Sequence, residues 1–255
     1  MRQLQEALER SRSAVVFTGA GVSTLCGIPD FRGTNGLYSQ PGADKMFDIG
    51  CFRRDPNTYY RGARRWIYDI ADVRPGPVHL AVAALERAGI VAGVVTQNID
   101  MLHQKAGSAR VIEVHGSPRI HRCMGCGRTK TYDEIRHMLA AESPLSPWCD
   151  HCGEVYKPDI TFFGENLPAD AFDAAERLAD AADLMLVLGS SLQVHPACSI
   201  PERAARAGCP LFIVNAQPTP VDCLAVRRYD DLAVFAAAIC EWLEAFQPAT
   251  PPARE

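Results

Sequence analysis

The chain has 255 residues, 47% of them hydrophobic, enough to bury a substantial core in one domain or in one domain plus a small lobe. A net charge of −4 and a pI near 6.0 argue against binding nucleic acid by bulk electrostatics, and no cluster of basic residues is dense enough to name as a patch. The apolar runs are too short to cross a bilayer and the chain opens on a polar helical pattern, so neither an anchor nor a signal peptide is expected.

In chain order, residues 2–12 read as a helix and residues 14–17 as the first apolar run of strand length. A helical pattern follows from Gly21, and a segment rich in Tyr, Arg and Asp then interrupts the alternation. Further strand-like runs occupy residues 91–96, 111–114, 184–188 and 211–214, with helical patterns at 99–106, 196–207 and 232–246. Short continuous apolar runs alternating with helices predict an α/β fold with a doubly wound, Rossmann-like parallel sheet covered on both faces. The expected division is a Rossmann-like nucleotide-binding domain of residues 1–32, 75–116 and 160–247, with a helical insertion at 33–74. A zinc-binding module at 117–159 would join that insertion in a smaller lobe, and the Pro-rich end, 248–255, is expected to be disordered.

Two pairs of cysteines, Cys123-x-x-Cys126 and Cys149-x-x-Cys152, have the spacing of a zinc ribbon. Four thiolates close a tetrahedron around one zinc ion and leave no position for water, so the predicted metal is structural. Cys26, Cys51, Cys198, Cys209, Cys223 and Cys240 show no disulfide framework, and the metal-type spacing of the other four points to a reducing compartment, by default the cytoplasm.

After the first strand, Gly19-Ala20-Gly21 permits a tight turn and close approach to a pyrophosphate, although a plain strand-to-helix turn reads the same way. Thr24 stands where the third glycine of the dinucleotide fingerprint would be, and no acidic residue clearly ends a second strand. Both departures weaken hydride transfer more than nucleotide binding and favour a cofactor that is consumed. Thr96 to Asp100 places two amides and a carboxylate at a strand's carboxyl end, and Glu113-Val114-His115-Gly116 places an imidazole beside a glycine that leaves room for a ligand. His115 is the candidate base, neutral and able to accept a proton at physiological pH; the pattern alone leaves a structural role open. His79 and His103 lie in helical patterns and read as structural. Two further Gly-containing loops, 157–168 and 189–196, are expected at the sheet edge, and Phe162 and Phe163 read by pattern alone as core.

Taken together, GAGVS…GIPDFRG, TQNID, EVHG, the cysteine pairs, PDITFFGENLP, GSSLQVHP and the Asn215 region resemble the sirtuins of the small bacterial and archaeal type, NAD-dependent protein lysine deacylases, in the family's order and across almost the whole chain. The resemblance implies that Gly19, Ala20, Gly21 and Ser23 meet the NAD phosphates and that Asp30, Phe31 and Arg32 belong to a cofactor loop. It places Gln97, Asn98, Ile99 and Asp100 around the nicotinamide and its ribose, with Asn98 and Asp100 joining His115 in catalysis. Gly189, Ser190, Ser191, Asn215 and Leu232 would hold the adenosine half. His115, Ile160 and Phe163 would line an acyl-lysine tunnel, and Gly164, Glu165 and Asn166 would face Gln193 and Val194 across a cleft in which the substrate peptide adds as a strand. Implied with these are His115 taking a proton from a ribose hydroxyl, Phe31 shielding the site from water, and release of nicotinamide and O-acyl-ADP-ribose. Implied partners are acylated-lysine proteins and NAD, with no membrane and no direct nucleic acid. Cys26 stands where serine is common. For acyl preference, Tyr60 is matched to the tyrosine of succinyl-selective members, which puts Ala63 at their arginine and favours a neutral acyl group, while Gly62 would widen the pocket. A desuccinylase, a long-chain deacylase or a mono-ADP-ribosyltransferase would share the motifs. Outside the family, an NAD-linked oxidoreductase or a non-catalytic NAD-sensing module are the alternatives.

Overall fold

The computed structural model describes residues 1–31, 33, 36–39, 43–140 and 145–245, so Arg32 and the 248–255 tail lie outside the described residues. Its strands are β1 (Ala14–Thr18), β2 (Val91–Thr96), β3 (Val111–Glu113), β4 (Gly116–Cys123), β5 (Thr129–Thr131), β6 (Tyr156–Ile160), β7 (Leu184–Leu188), β8 (Leu211–Val214) and β9 (Arg227–Tyr229). They form a six-stranded sheet in the order β3-β2-β1-β7-β8-β9 and a three-stranded sheet in the order β5-β4-β6. Pairing is parallel throughout the first and antiparallel in the second.

The large sheet is covered on both faces, which is why β1 and β7 are apolar almost without alternation. Val16, Val94, Leu186 and Phe212 point to one side, against Leu4, Leu8, Val82, Leu85, Phe235 and Ile239 of three helices. Val15, Phe17, Val95, Met185, Val187 and Ile213 point to the other, against Leu178, Ile200 and Ala204. β9 was not legible: Arg-Arg-Tyr has no apolar run, and it joins the edge through backbone pairing of Arg227 to Tyr229 with Phe212 to Val214.

The first helix and that of the 99–106 pattern are shorter than expected, each for a local reason. The first stops at Arg10, because Ser11 Oγ and the amides of Arg12 and Ser13 all donate to the Asp183 carboxylate and pull the chain toward β7. The helix of the 99–106 pattern spans only Leu102–Lys105: the Asp100 carboxylate accepts the Leu102 amide, and Met101 turns the chain at φ 61°. The last helix, Leu232–Ala245, begins where Asp231 Oδ1 accepts the amides of Ala233 and Val234.

The insertions pack on each other. Short helices Ile49–Arg54 and Pro56–Ala63 start at Asp48 and Asp55, whose side chains accept the amides of Cys51 and Asn57. A wide π-turn follows at Arg64–Tyr68. Phe52, Tyr59, Tyr60 and Tyr68 from these segments share one core with Cys123, Tyr132, Cys149, Tyr156 and Phe162.

Candidate active site

β1 is followed in sequence by β2 on one side of it, whereas β7 pairs on its other side, so the connections diverge at their carboxyl ends and open a crevice. A cavity of about 530 Å³ lies there. Gly19, Ala20 and Gly21 after β1, Gln97, Asn98 and Ile99 after β2, and His115 after β3 line it. Gly189, Ser190 and Ser191 after β7, Asn215 after β8, and Leu232 complete that edge. Asp30, Phe31, Ile160, Phe163, Gly164, Glu165 and Val194 line the same cavity. Ser23 and Asp100 line instead a smaller chamber of about 50 Å³, which shares Ala20, Phe31, Phe47, Asn98 and Ile99 with the first. Asn166 and Gln193 are exposed and lie outside both linings.

The glycine turn is explained by what it touches. A Cβ on Gly19 would come 2.8 Å from the Gly189 carbonyl oxygen, and one on Gly21 would come 2.8 Å from Gly189 Cα. The amides of Gly19 and Gly21 donate to Leu188 and Gly189 oxygens, so this turn is sealed against the β7 turn. Gly116 likewise reflects packing, where ligand space was the expectation: its φ is 75°, and a Cβ would lie 2.2 Å from the Asp159 carbonyl oxygen of β6.

The polar groups behind the cavity hold one another. Asn98 Nδ2 donates to the Gly19 carbonyl at 3.2 Å and to Ser23 Oγ at 3.3 Å, and Ser23 Oγ donates to Asp100 Oδ2 at 2.7 Å. Gln97 Nε2 donates to Ser190 Oγ at 2.7 Å, tying β2 to β7 across the crevice. His115 Nδ1 lies 2.9 Å from the Gln97 carbonyl oxygen. A carbonyl only accepts, so in the neutral ring Nδ1 carries the hydrogen and Nε2 carries the lone pair, as a general base requires.

The other histidines behave differently. His79 and His103 are buried with rings 4.9 Å apart, and His103 Nε2 is 3.0 Å from Thr18 Oγ1. Burial, reinforced by His79, pushes the His103 pKa down to about 3, so it stays neutral and structural.

Aromatic residues close the mouth. Phe31 packs edge-on to Phe47 at 5.8 Å and against Tyr38 at 5.5 Å, and Phe163 is 45% exposed at the rim. Phe162 is buried in the small-lobe core. Tyr38, Phe47, His195 and Gln217 also line the large cavity, and Ile28, Leu37, Trp66, Ile67 and Ile70 the small chamber. The readings above missed these residues; GSSLQVHP alone contained a usable signal, for His195.

Tyr60 and Ala63, matched above to the tyrosine and arginine of succinyl-selective members, pack inward. Tyr60 is fully buried with its hydroxyl donating to the Tyr156 carbonyl oxygen, and Ala63 is fully buried in the same core. Gly62 packs against Met46, whose Sδ would lie 2.7 Å from an added Cβ. None of the three lines a cavity, and the residues of this helical segment that do are Trp66, Ile67 and Ile70.

The four cysteine sulfurs all lie within 4.8 Å of one another, with Cys123 to Cys152 at 3.3 Å and Cys126 to Cys149 at 3.7 Å. Zinc–sulfur bonds of about 2.3 Å imply tetrahedral edges of about 3.8 Å, so this donor set fits a structural zinc ion.

The sequence profile of the Sir2 family matches residues 19–196. An NAD-dependent protein deacetylase of Thermotoga maritima is 43% identical over 94% of this chain and 97% of its own length. A Sir2 structure with deacetylated p53 peptide and 3′-O-acetyl ADP ribose is 42% identical, with a TM-score of 0.90 over 95% of this chain and 98% of the other. A second, Sir2 with p53 peptide and NAD+, is 42% identical with a TM-score of 0.88 over 96% and 99%. With this coverage at both levels, the chain belongs to the Sir2 family.

Proposed function

We propose that this chain is an NAD-dependent protein lysine deacetylase, which moves the acyl group from lysine to ADP-ribose and releases nicotinamide and O-acyl-ADP-ribose. NAD supplies a cationic leaving group and the sugar that accepts the acyl group. The observation that carries the reading is His115: its Nδ1 is held by the Gln97 carbonyl, inside a cavity that also contains the glycine turn and Asn98. Its Nε2 takes the proton from a ribose hydroxyl. Gly19, Ala20, Gly21 and Ser23 hold the phosphates, with Asp30, Phe31 and Arg32 closing over them. Gln97, Asn98, Ile99 and Asp100 surround the nicotinamide ribose. Gly189, Ser190, Ser191, Asn215 and Leu232 take the adenosine half. Phe31, wedged between Phe47 and Tyr38, keeps water from the reacting carbon. Residues 164–166 and 193–194 take the peptide. The backbone of Phe163 is already engaged, its amide with the Phe47 oxygen and its oxygen with the Ile49 amide, which leaves the peptide to the residues that follow it.

In this reading residues 1–32, 75–116 and 160–247 bind NAD, while the 33–74 insertion forms the opposite wall and the 117–159 zinc module packs behind that insertion. The partners are acylated-lysine proteins. The gathering of four cysteines as metal ligands supports the cytoplasm as the compartment. Among the described residues no helix is long and apolar enough to cross a membrane.

A neutral acyl group fits best. Among the described residues neither cavity lining includes Lys or Arg, and Arg61 is exposed. Acetyl peptide is expected to outcompete succinyl peptide in kcat/KM, and a clear succinyl preference would overturn this.

The decisive test is His115→Ala. The variant is expected to fold and keep zinc while losing about 10²–10⁴-fold in deacylation, read by mass spectrometry of O-acyl-ADP-ribose. Near wild-type turnover would remove His115 from its role. ADP-ribosylated protein or free ADP-ribose as the main product of the wild-type enzyme would replace the reaction.

A further inference from the structure

Lys157, on β6, has no role in the chemistry above, yet it is only 8% exposed, an unusual place for an ammonium group. Every direction around Nζ is used. It donates to the Ile160 oxygen at 2.8 Å and the Pro158 oxygen at 3.2 Å, pairs with Glu165 Oε2 at 2.9 Å, and lies 4.3 Å above the Phe162 ring. The same Glu165 oxygen accepts the Phe162 amide at 2.9 Å. One carboxylate oxygen thus closes the loop from Phe162 to Glu165 back onto the strand that precedes it. Gly164, at φ 90°, makes the turn between them. On the other flank, β6 is fixed to β4, with Lys157 opposite Arg122 and Tyr156 opposite Cys123.

We infer that Lys157 is a positioning residue: through its ion pair with Glu165 it locks the 162–166 loop to the zinc-module strand in the shape that receives the substrate peptide. It therefore governs peptide affinity and leaves cofactor affinity alone. This rests on the assignment of residues 164–166 to the peptide made above.

The charges facing Lys157 are Glu165, Asp159 and Arg53, with His121 across the strand pair. Burial holds His121 neutral down to about pH 3. Burial also brings Lys157 below the usual lysine range, against the opposing pull of Glu165. Rising pH therefore discharges the ammonium and opens the clamp.

The test is steady-state kinetics of the full-length zinc-loaded enzyme with an acetyl-lysine peptide and NAD. Lys157→Met is expected to raise peptide KM about tenfold while NAD KM and zinc content stay within about twofold. Toward about pH 10, wild-type peptide KM is expected to climb about fivefold, whereas Lys157→Arg, which keeps its charge, stays flat. His115 is unchanged in both proteins, so its contribution cancels from that comparison. If Asn166→Ala raises peptide KM and Lys157→Met does not, the positioning role is overturned. If neither raises it, the peptide assignment falls and the inference falls with it. Should Lys157→Met fail to fold, the pH profiles decide: coincident curves for wild type and Lys157→Arg overturn the inference.

Discussion

The two cores of this protein are made of different materials. Under the large sheet the buried side chains are mostly aliphatic, with Val16, Leu186, Leu85 and Ile239 on one face and Val15, Val187 and Ile213 on the other, and the few aromatics there, Phe17, Phe212 and Phe235, carry no hydroxyl. The smaller core is aromatic and carries buried hydroxyls: Tyr60 donates to the Tyr156 oxygen at 2.5 Å, Tyr132 to the Ile67 oxygen at 2.6 Å, and Tyr68 lies 2.6 Å from His121 Nε2. Burial of aliphatic surface is non-directional and tolerant, so the sheet is expected to hold together by area alone. A core of hydroxyls is specified by direction, and here its position is tied to a metal through Cys123 and Cys149, both buried in it. The site lies where the two meet.

The largest break between them comes from the metal. Structural zinc contributes about 10–16 kcal/mol of apparent binding energy in small modules, more than a core of this size can replace. Chelation, or Cys149→Ser, is expected to release protection from hydrogen exchange across β4, β5 and β6 while β1, β7 and β8 stay protected. Simultaneous loss in both sheets would show that they are a single cooperative unit.

Next come substitutions inside each core. Leu186→Ala, in a fully buried strand position, is expected to cost about 2–5 kcal/mol in urea unfolding. Tyr60→Phe keeps nearly all of its volume and is expected to cost about 1–3 kcal/mol, because the Tyr156 carbonyl loses its donor. Tyr60→Phe without cost would mean that the small core is held by packing, like the large one.

What could be read in advance follows the same division. β1, β2, β7 and β8 were legible because strands buried on both faces are short apolar runs. β4 to β6 were not, since Arg119, Ile120 and Arg122 alternate irregularly and are exposed, and the zinc knuckle rather than an apolar pattern sets their register. At the site, most residues expected after β1, β2, β3 and β7 line one cavity, with Ser23 and Asp100 in the chamber beside it, because the parallel topology brings those carboxyl ends together. The wall of Trp66, Ile67 and Ile70 was hidden for a physical reason. The π-turn at Arg64–Tyr68 brings two of these three to the small chamber, while Tyr59, Tyr60 and Ala63 of the preceding helix face the core, a divergence that no fixed helical period predicts.

Acid sharpens the comparison, because each core contains a buried histidine held neutral. Burial lowers His103 beneath the large sheet's edge to about 3, with a contribution from His79, and lowers His121 in the small lobe to about 3, with a contribution from Lys157. A histidine whose folded pKa is depressed gives the unfolded chain the excess protons between its ordinary value and the depressed one. Stability is then complete above about pH 6.5 and falls as pH drops toward about 3, with a slope approaching 1.4 kcal/mol per pH unit for each ring. His121→Asn is expected to flatten the small lobe's share, read by exchange at β4, and to leave the exchange of β1 unchanged. An unaltered acid slope at β4 would mean that His121 is protonated in the folded state.

The smallest effect lies on the surface, where direction matters least. Arg203 reaches from the helix Ser199–Arg206 to two carboxylates of the helix Ala169–Asp180, Glu176 and Asp180, each at 2.5 Å. The geometry is as good as a buried pair's, yet the guanidinium is 48% exposed and water and salt screen it. These helices are already joined to the sheet through Leu178, Ile200 and Ala204, so the bridge fastens what apolar burial holds in place. Arg203→Ala is therefore expected to cost about 0.2–1 kcal/mol, and less in about 1 M salt, where screening acts within about 3 Å. A cost above that of Tyr60→Phe would mean that the aliphatic side of the molecule depends on directed contacts as much as the aromatic side does.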